Sequence, residues 1–203
     1  MMSSNQVKRQ GSRTPSADME AALLSAAANL LETEGVDSLS VRRIATAAKV
    51  APMGVYNHFE SKYGIVEALF IQGFELLRSD LLHVAEIHDP YEALLEATRR
   101  YRASALAHPM RYKLMFMKAV SGFEPSTEAL QTSKGAFDGL VAVVKRAISA
   151  HVIVESSPIE TTTMIWATIH GWVSLELLEM GFMEDKEASF NRLCQSILHG
   201  LRP

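Results

Sequence analysis

The sequence predicts an all-α protein, an N-terminal three-helix helix-turn-helix domain followed by a larger C-terminal helical domain. Apolar residues recur at helical spacing from Met19 to Leu201, and no stretch of useful length alternates with period two, so no sheet is expected. Residues 39–62 hold two short helical patterns on either side of a tight turn. Farther along, a serine or aspartate followed by proline twice opens a new apolar run, as helix starts do. The expected division is a flexible basic arm over 1–15, the helix-turn-helix domain over 16–62, and the C-terminal domain over 63–203.

Residues 1–15 are polar and carry Lys8, Arg9 and Arg13 with no acid. Such a segment buries too little to fold alone, and a basic arm can follow a phosphate backbone or reach a minor groove. A helix begins near Ser16, with Met19, Leu23, Ala26, Leu30 and Leu31 on one face, and Gly35 ends it. Its acids, Asp18, Glu20, Glu32 and Glu34, make it a support behind the next two helices rather than a face for a polyanion.

Ser40 is the natural N-cap of a short helix over Val41–Ala48, in which Ile44 and Ala48 share a face while Arg42 and Arg43 point elsewhere. Pro52 then sits in the first turn of a second short helix that runs to about Phe59. Small residues at Ala45, Ala47, Ala48 and Gly54 permit close approach, with Ile44, Val50, Val55 and Phe59 as the shared apolar wedge. What points outward from the second helix is Met53, Tyr56, Asn57 and His58, with Lys62 directly after. Residues 39–62 hold Arg42, Arg43, Lys49 and Lys62 against Glu60, a local +3 on a chain of net charge −3. The surface from Pro52 to His58 is therefore expected to enter a major groove of double-stranded DNA. Ser40, Arg42, Tyr56, His58 and Lys62 would hold phosphates, while Met53, Gly54, Asn57 and Arg43 approach base edges.

After Lys62 the helices lengthen. Ser61 caps one expected to end near Ile87. Asp89, Pro90 and Glu92 start another, which His108-Pro109 breaks. A short helix from Met110 to about Ala119, one from Ser126 to Ala150, one from Pro158 to Met180 stopped by Gly181, and a last from Asp185 to His199 complete the chain. The Pro158–Met180 helix is apolar on several sides, so neighbours are expected around most of its circumference.

The stretch LSVRRIATAAKVAPMGVYNHFESKYGIVEALF resembles the DNA-binding segment of the TetR family of bacterial transcriptional regulators, through Tyr56, the pair His58-Phe59 and Lys62 opening the next helix. It departs from the family at Lys49, where members commonly have glycine in the turn; a left-handed residue other than glycine costs roughly 1 kcal/mol. His108–Phe116, together with Trp166, His170, Gly171 and Trp172, resembles a subgroup with a Trp/His-Gly effector domain. The resemblance implies a ligand-binding and dimerisation role for the C-terminal domain, with a homodimer formed through the last two helices. It also implies an effector cavity, for which Phe74, Tyr101, Tyr112, Met115, Phe116, Phe137, Trp166 and His170 are the candidate lining. The expected function is a ligand-responsive regulator, a repressor released from a palindromic operator by a small, largely apolar effector.

Other chemistry finds little support. His83 and His88 stand five apart on a helix and do not share a face, a single cysteine removes paired thiolate sites, and no nucleotide-cradling or nucleophile-elbow motif occurs, so no metal, cofactor or catalytic residue is expected. The pair Glu176 and Glu179 is expected on a solvated helix face, and His170 as a satisfied core histidine or an effector anchor. With no apolar run of about 18 residues and no hydrophobic leader, a cytoplasmic protein without a membrane partner is expected. The competing reading is a helical small-molecule-binding protein or enzyme that keeps a vestigial helix-turn-helix.

Overall fold

The computed structural model of the chain describes residues 16–203, so the expected basic arm lies outside it. Among the described residues the regular structure is helical throughout, in agreement with the predicted class. Helices α1 (Ser16–Glu34), α2 (Val41–Ala47) and α3 (Pro52–Phe59) make the head, with a 3-10 turn over Val36–Ser38 between the first two. The remainder is α4 (Lys62–Ala85), α5 (Pro90–Ala107), α6 (Pro109–Phe116), α7 (Thr127–Ser149), α8 (Pro158–Leu177) and α9 (Lys186–Gly200).

The start signals form the bonds they promise. Ser40, Ser61, Asp89, Ser126, Ser157 and Asp185 each accept a first-turn backbone N–H, at 2.8 to 3.4 Å. A cap of this kind contributes about 1 kcal/mol. Gly35 ends α1 at φ 79, a value that costs glycine no Cβ clash, and its N–H returns to the Leu31 carbonyl. Other ends fall short of expectation. α8 stops at Leu177 instead of Met180 because Glu179 turns left-handed (φ 56) and the Met180 N–H folds back to the Leu175 carbonyl at 2.9 Å. α6 stops at Phe116, just before Lys118 at φ 48.

Two main apolar cores follow from the faces these helices present. The head core holds Leu23 and Leu31 of α1, Ile44 of α2, Val55 and Phe59 of α3, and Ile65, Val66 and Leu69 of α4. Leu114 of α6 and Val120 close it from the C-terminal side. The expected division at residue 62 therefore separates helices but not cores. The second core joins Val84, Leu94, Val143, Val144, Ile165, Ile169, Phe190 and Leu198, with Cys194 buried among them. α4 and α7 lie side by side and parallel: Glu67 accepts the Ser126 N–H at 3.2 Å near their starts, and Arg146 Nη1 donates to the Ala85 carbonyl at 2.7 Å near their ends. α6 sits so close to α4 that a Cβ on Gly73 would overlap the Met115 sulfur.

Within a single chain α8 leaves Met164, Ala167, Leu175 and Leu178 uncovered along one stripe, and Phe182 beyond its end is 98% exposed; the neighbours expected around this helix include those of a second copy. Apolar periodicity cannot distinguish a neighbour in the same chain from one in a second copy.

Candidate nucleic-acid interface and effector cavity

The α2–α3 turn is closed by short backbone bonds, Val50 N–H to the Ala45 carbonyl at 2.9 Å and Lys49 N–H to Thr46 at 3.1 Å, with Lys49 itself left-handed at φ 57. A Cβ added at Gly54 would stand 3.7 Å from Val50, an ordinary van der Waals contact, so the helix approach expected to need a small residue here does not require glycine. α3 then presents Pro52, Met53, Tyr56 and Asn57 to solvent, with Met53 66% exposed. The exposed Met53 and Tyr56 leave the outer face of α3 partly apolar. No side chain caps α3 at Ala51; Pro52 has no N–H to satisfy and the Gly54 N–H returns to the Ala51 carbonyl at 2.8 Å, so the positive end of the helix is left without an acidic cap.

The flanks of this surface differ from expectation. His58 is turned inward, its side chain 14% exposed with Nδ1 3.8 Å from a Glu20 oxygen of α1. Arg43 forms an ion pair with Glu34. The acids of α1, expected to stand behind the motif, thus reach both sides of it, and the cations left outward without such a partner are Arg42 and Lys49, with Lys62 half-buried at the start of α4. Ser40 keeps its place at the α2 N-terminus, its hydroxyl engaged by the Arg43 N–H.

Between α4, α5, α6, α7 and α8 lies a cavity of about 640 Å³. Of the eight expected lining residues, Phe74, Tyr101, Met115, Phe116, Phe137 and Trp166 line it. Tyr112 and His170 do not; they stand behind the wall, Tyr112 lining a much smaller pocket. Phe70, Leu77, Leu81, Val84, Leu114, Leu140, Ile165 and Ile169 are among the further apolar residues of the lining and were missed. Phe70, Phe74, Leu77, Leu81 and Val84 do form a single helical stripe in the sequence, but a stripe facing a void reads like one facing a core. Charged groups border the cavity in near balance: Arg100 stands 3.8 Å from Asp80 and bonds Glu96 at 2.8 Å, and Lys134 is paired with Asp138.

His170 is a satisfied histidine. Its Nδ1 lies 2.7 Å from the Tyr101 hydroxyl and 2.8 Å from that of Tyr112, and its ring packs 5.0 Å from Phe116 and 5.3 Å from Trp166. Burial holds its pKa below the usual imidazole value and raises both phenols above theirs.

Glu176 overturns its assignment to a solvated face. It is 8% exposed and takes two bonds from Arg102, at 2.8 and 2.7 Å, and one from Trp172 Nε1 at 3.2 Å. The partner is 74 positions away, so no local pattern announced it. Among the described residues no three His, Cys, Asp or Glu side chains are grouped to hold a metal ion, and no helix is long and apolar enough to cross a membrane.

Comparison with known proteins places both halves. Residues 23–69 match the family model of bacterial regulatory proteins of the tetR family, and residues 94–197 match a tetracyclin repressor-like C-terminal domain. An uncharacterised HTH-type transcriptional regulator of Mycobacterium tuberculosis is 26% identical over 163 residues, covering 80% of this chain and 71% of its own. A protein of unknown function from Rhodococcus sp. RHA1 superposes with a TM-score of 0.81 at 24% identity, over 98% of this chain and 100% of that one. A TetR family transcriptional regulator from Thermus thermophilus gives a TM-score of 0.69 at 20% identity, over 89% and 99%.

Proposed function

Since the chain belongs to the TetR family of bacterial transcriptional regulators, we propose that it is a cytoplasmic repressor, bound as a homodimer to a palindromic operator and released by a small, largely apolar effector. One observation carries this reading: α6 stands between the head core and the cavity, with Leu114 belonging to both. A molecule entering the cavity meets a wall whose other side supports the DNA-reading helices. A ligand that binds better to one head arrangement shifts the population toward it.

Two features support the dimer. The uncovered stripe on α8 offers a second copy an apolar helical face, and its isologous pairing would use the same residues from both chains. A pair of heads could then read half-sites about 34 Å apart, which one head cannot.

The experiment is selection of genomic fragments by the purified protein, followed by titration of salt and of candidate effectors. Replacing Tyr56 and Lys62 together by alanine should weaken binding to the selected fragment and make the dependence of log K on log salt shallower, by about one for each phosphate no longer neutralised. Failure to enrich any duplex, or a salt slope untouched by the double substitution, would sink the reading.

A further inference from the structure

Three helices bring polar side chains together behind the cavity. The Tyr101 hydroxyl of α5 and the Tyr112 hydroxyl of α6 both reach Nδ1 of His170 on α8, and Trp166 Nε1 donates to the Tyr101 oxygen at 3.4 Å. Near neutral pH none of these groups is charged, the histidine because burial disfavours the imidazolium and the tyrosines because it disfavours the phenolate. A neutral imidazole presents at Nδ1 either one lone pair or one N–H. Two hydroxyl groups therefore share an atom that can pair fully with only one of them.

The two tyrosines are not equally placed to give way. Tyr112 has other acceptors at hand, the His170 carbonyl at 3.3 Å and the Ser174 hydroxyl at 3.1 Å. Tyr101 has, besides Nδ1, the Tyr112 hydroxyl oxygen beside it, and it forms part of the main cavity wall, which Tyr112 does not. Of the two hydroxyls, the one carried by a residue of the main cavity wall is that of Tyr101, and Tyr112 can take its place at Nδ1.

We propose that Tyr101 is the specificity-determining donor of this cavity, and that its effector is an apolar molecule carrying a hydrogen-bond acceptor such as a carbonyl oxygen. On binding, the Tyr101 O–H turns from Nδ1 to the ligand oxygen, and the Tyr112 O–H turns from Ser174 or the His170 carbonyl to Nδ1. No covalent bond changes, and no buried polar group is left unpaired, an outcome that otherwise disfavours binding strongly. The exchange also moves a proton on α6, the helix that supports the head, so the same step that recognises the ligand alters the bonding of the wall facing DNA. This inference rests on the cavity being the effector site.

The test uses two probes of matched shape, benzophenone and diphenylmethane, titrated against the full chain and its Tyr101→Phe variant by calorimetry. The variant should bind benzophenone about tenfold more weakly, the effect of removing one hydrogen bond, with diphenylmethane affinity unchanged within twofold. Equal losses for both probes, no loss for benzophenone, or failure of either probe to bind the unaltered protein would overturn the proposal. Should the variant not fold, the carbonyl stretch of benzophenone bound to the unaltered protein decides: a shift to lower frequency relative to hydrocarbon solvent supports the donor, and a hydrocarbon-like frequency overturns it. No DNA is present in these measurements, so absence of operator binding would count against the repressor reading alone.

Discussion

Glu32 on the first helix accepts the backbone N–H of Arg111 at 2.9 Å, and its other oxygen accepts that of Met110 at 3.2 Å. His108 supplies no side-chain cap to α6, so the carboxylate reaching across from α1 satisfies first-turn donors that the local sequence leaves open. An acid there also meets the positive end of the helix.

Replacing Glu32 by alanine should lower stability by about 1 kcal/mol, the usual worth of an N-cap, read as a lower urea midpoint at an unchanged slope. Glu32→Gln should recover part of it, because an amide oxygen still accepts. On the proposed function, the effector concentration that releases operator should also change, since the bond ties the head to the C-terminal domain; an unaltered release curve would show that α6 transmits nothing through it.

Lys49 holds a left-handed conformation without being glycine. Lys49→Gly should stabilise the head by about 0.5 kcal/mol, the relief of strain being partly offset by the greater freedom of glycine in the unfolded chain. Equilibrium unfolding measures it. A clear loss of stability would mean that the lysine side chain makes an interaction the strain argument neglects.

Arg102 and Glu176 are mostly buried, and their bonds are shared with Trp172 and with Phe190, whose ring lies 5.1 Å beneath the guanidinium. Arg102→Met alone should cost about 3–5 kcal/mol by stranding the carboxylate, whereas Arg102→Met with Glu176→Leu should cost far less. The hydrogen bonds from Arg102 hold the Glu176 carboxyl below its ordinary pKa. Its contribution is therefore present above the unfolded value, about 4.3, and is lost as pH falls through the folded one. Acid titration of stability should show this loss in the unaltered chain and not in the double variant.

His170 contributes in the same sense, although here it is the neutral form that the fold favours. Burial lowers its pKa, so folded and unfolded chains hold the same imidazole protons above about pH 6.5, while at lower pH the unfolded chain gains a proton that the folded one resists. Stability should fall as pH drops below about 6.5 until the folded value is reached. His170→Asn should flatten that part of the profile, as thermal unfolding followed from neutral to mildly acidic pH would show.

What the sequence made legible was local. Ser40, Ser61, Asp89, Ser126, Ser157 and Asp185 announced their helices because a cap and its target are two or three residues apart. The aromatic lining was partly legible through the family resemblance. Invisible were pairings closed by the tertiary fold: Glu20 against His58, Glu34 against Arg43, Glu32 at the start of α6, and Glu176 with Arg102. In each case an acid that looked like ordinary solvated surface had its partner well outside any helical repeat. For the uncovered stripe of α8, apolar spacing states that a neighbour exists but not whose chain provides it; only the family resemblance pointed to a second copy.

Leu114 has a practical consequence for anyone refitting this protein as a biosensor. On the function proposed above, carving room for a bulkier ligand at that leucine would simultaneously hollow out the interior that holds α2 and α3 in place, enlarging the chamber at the cost of a looser grip on DNA. Leu140 borders the same void without belonging to the head core, and offers a place where the chamber can be enlarged while the grip is left intact.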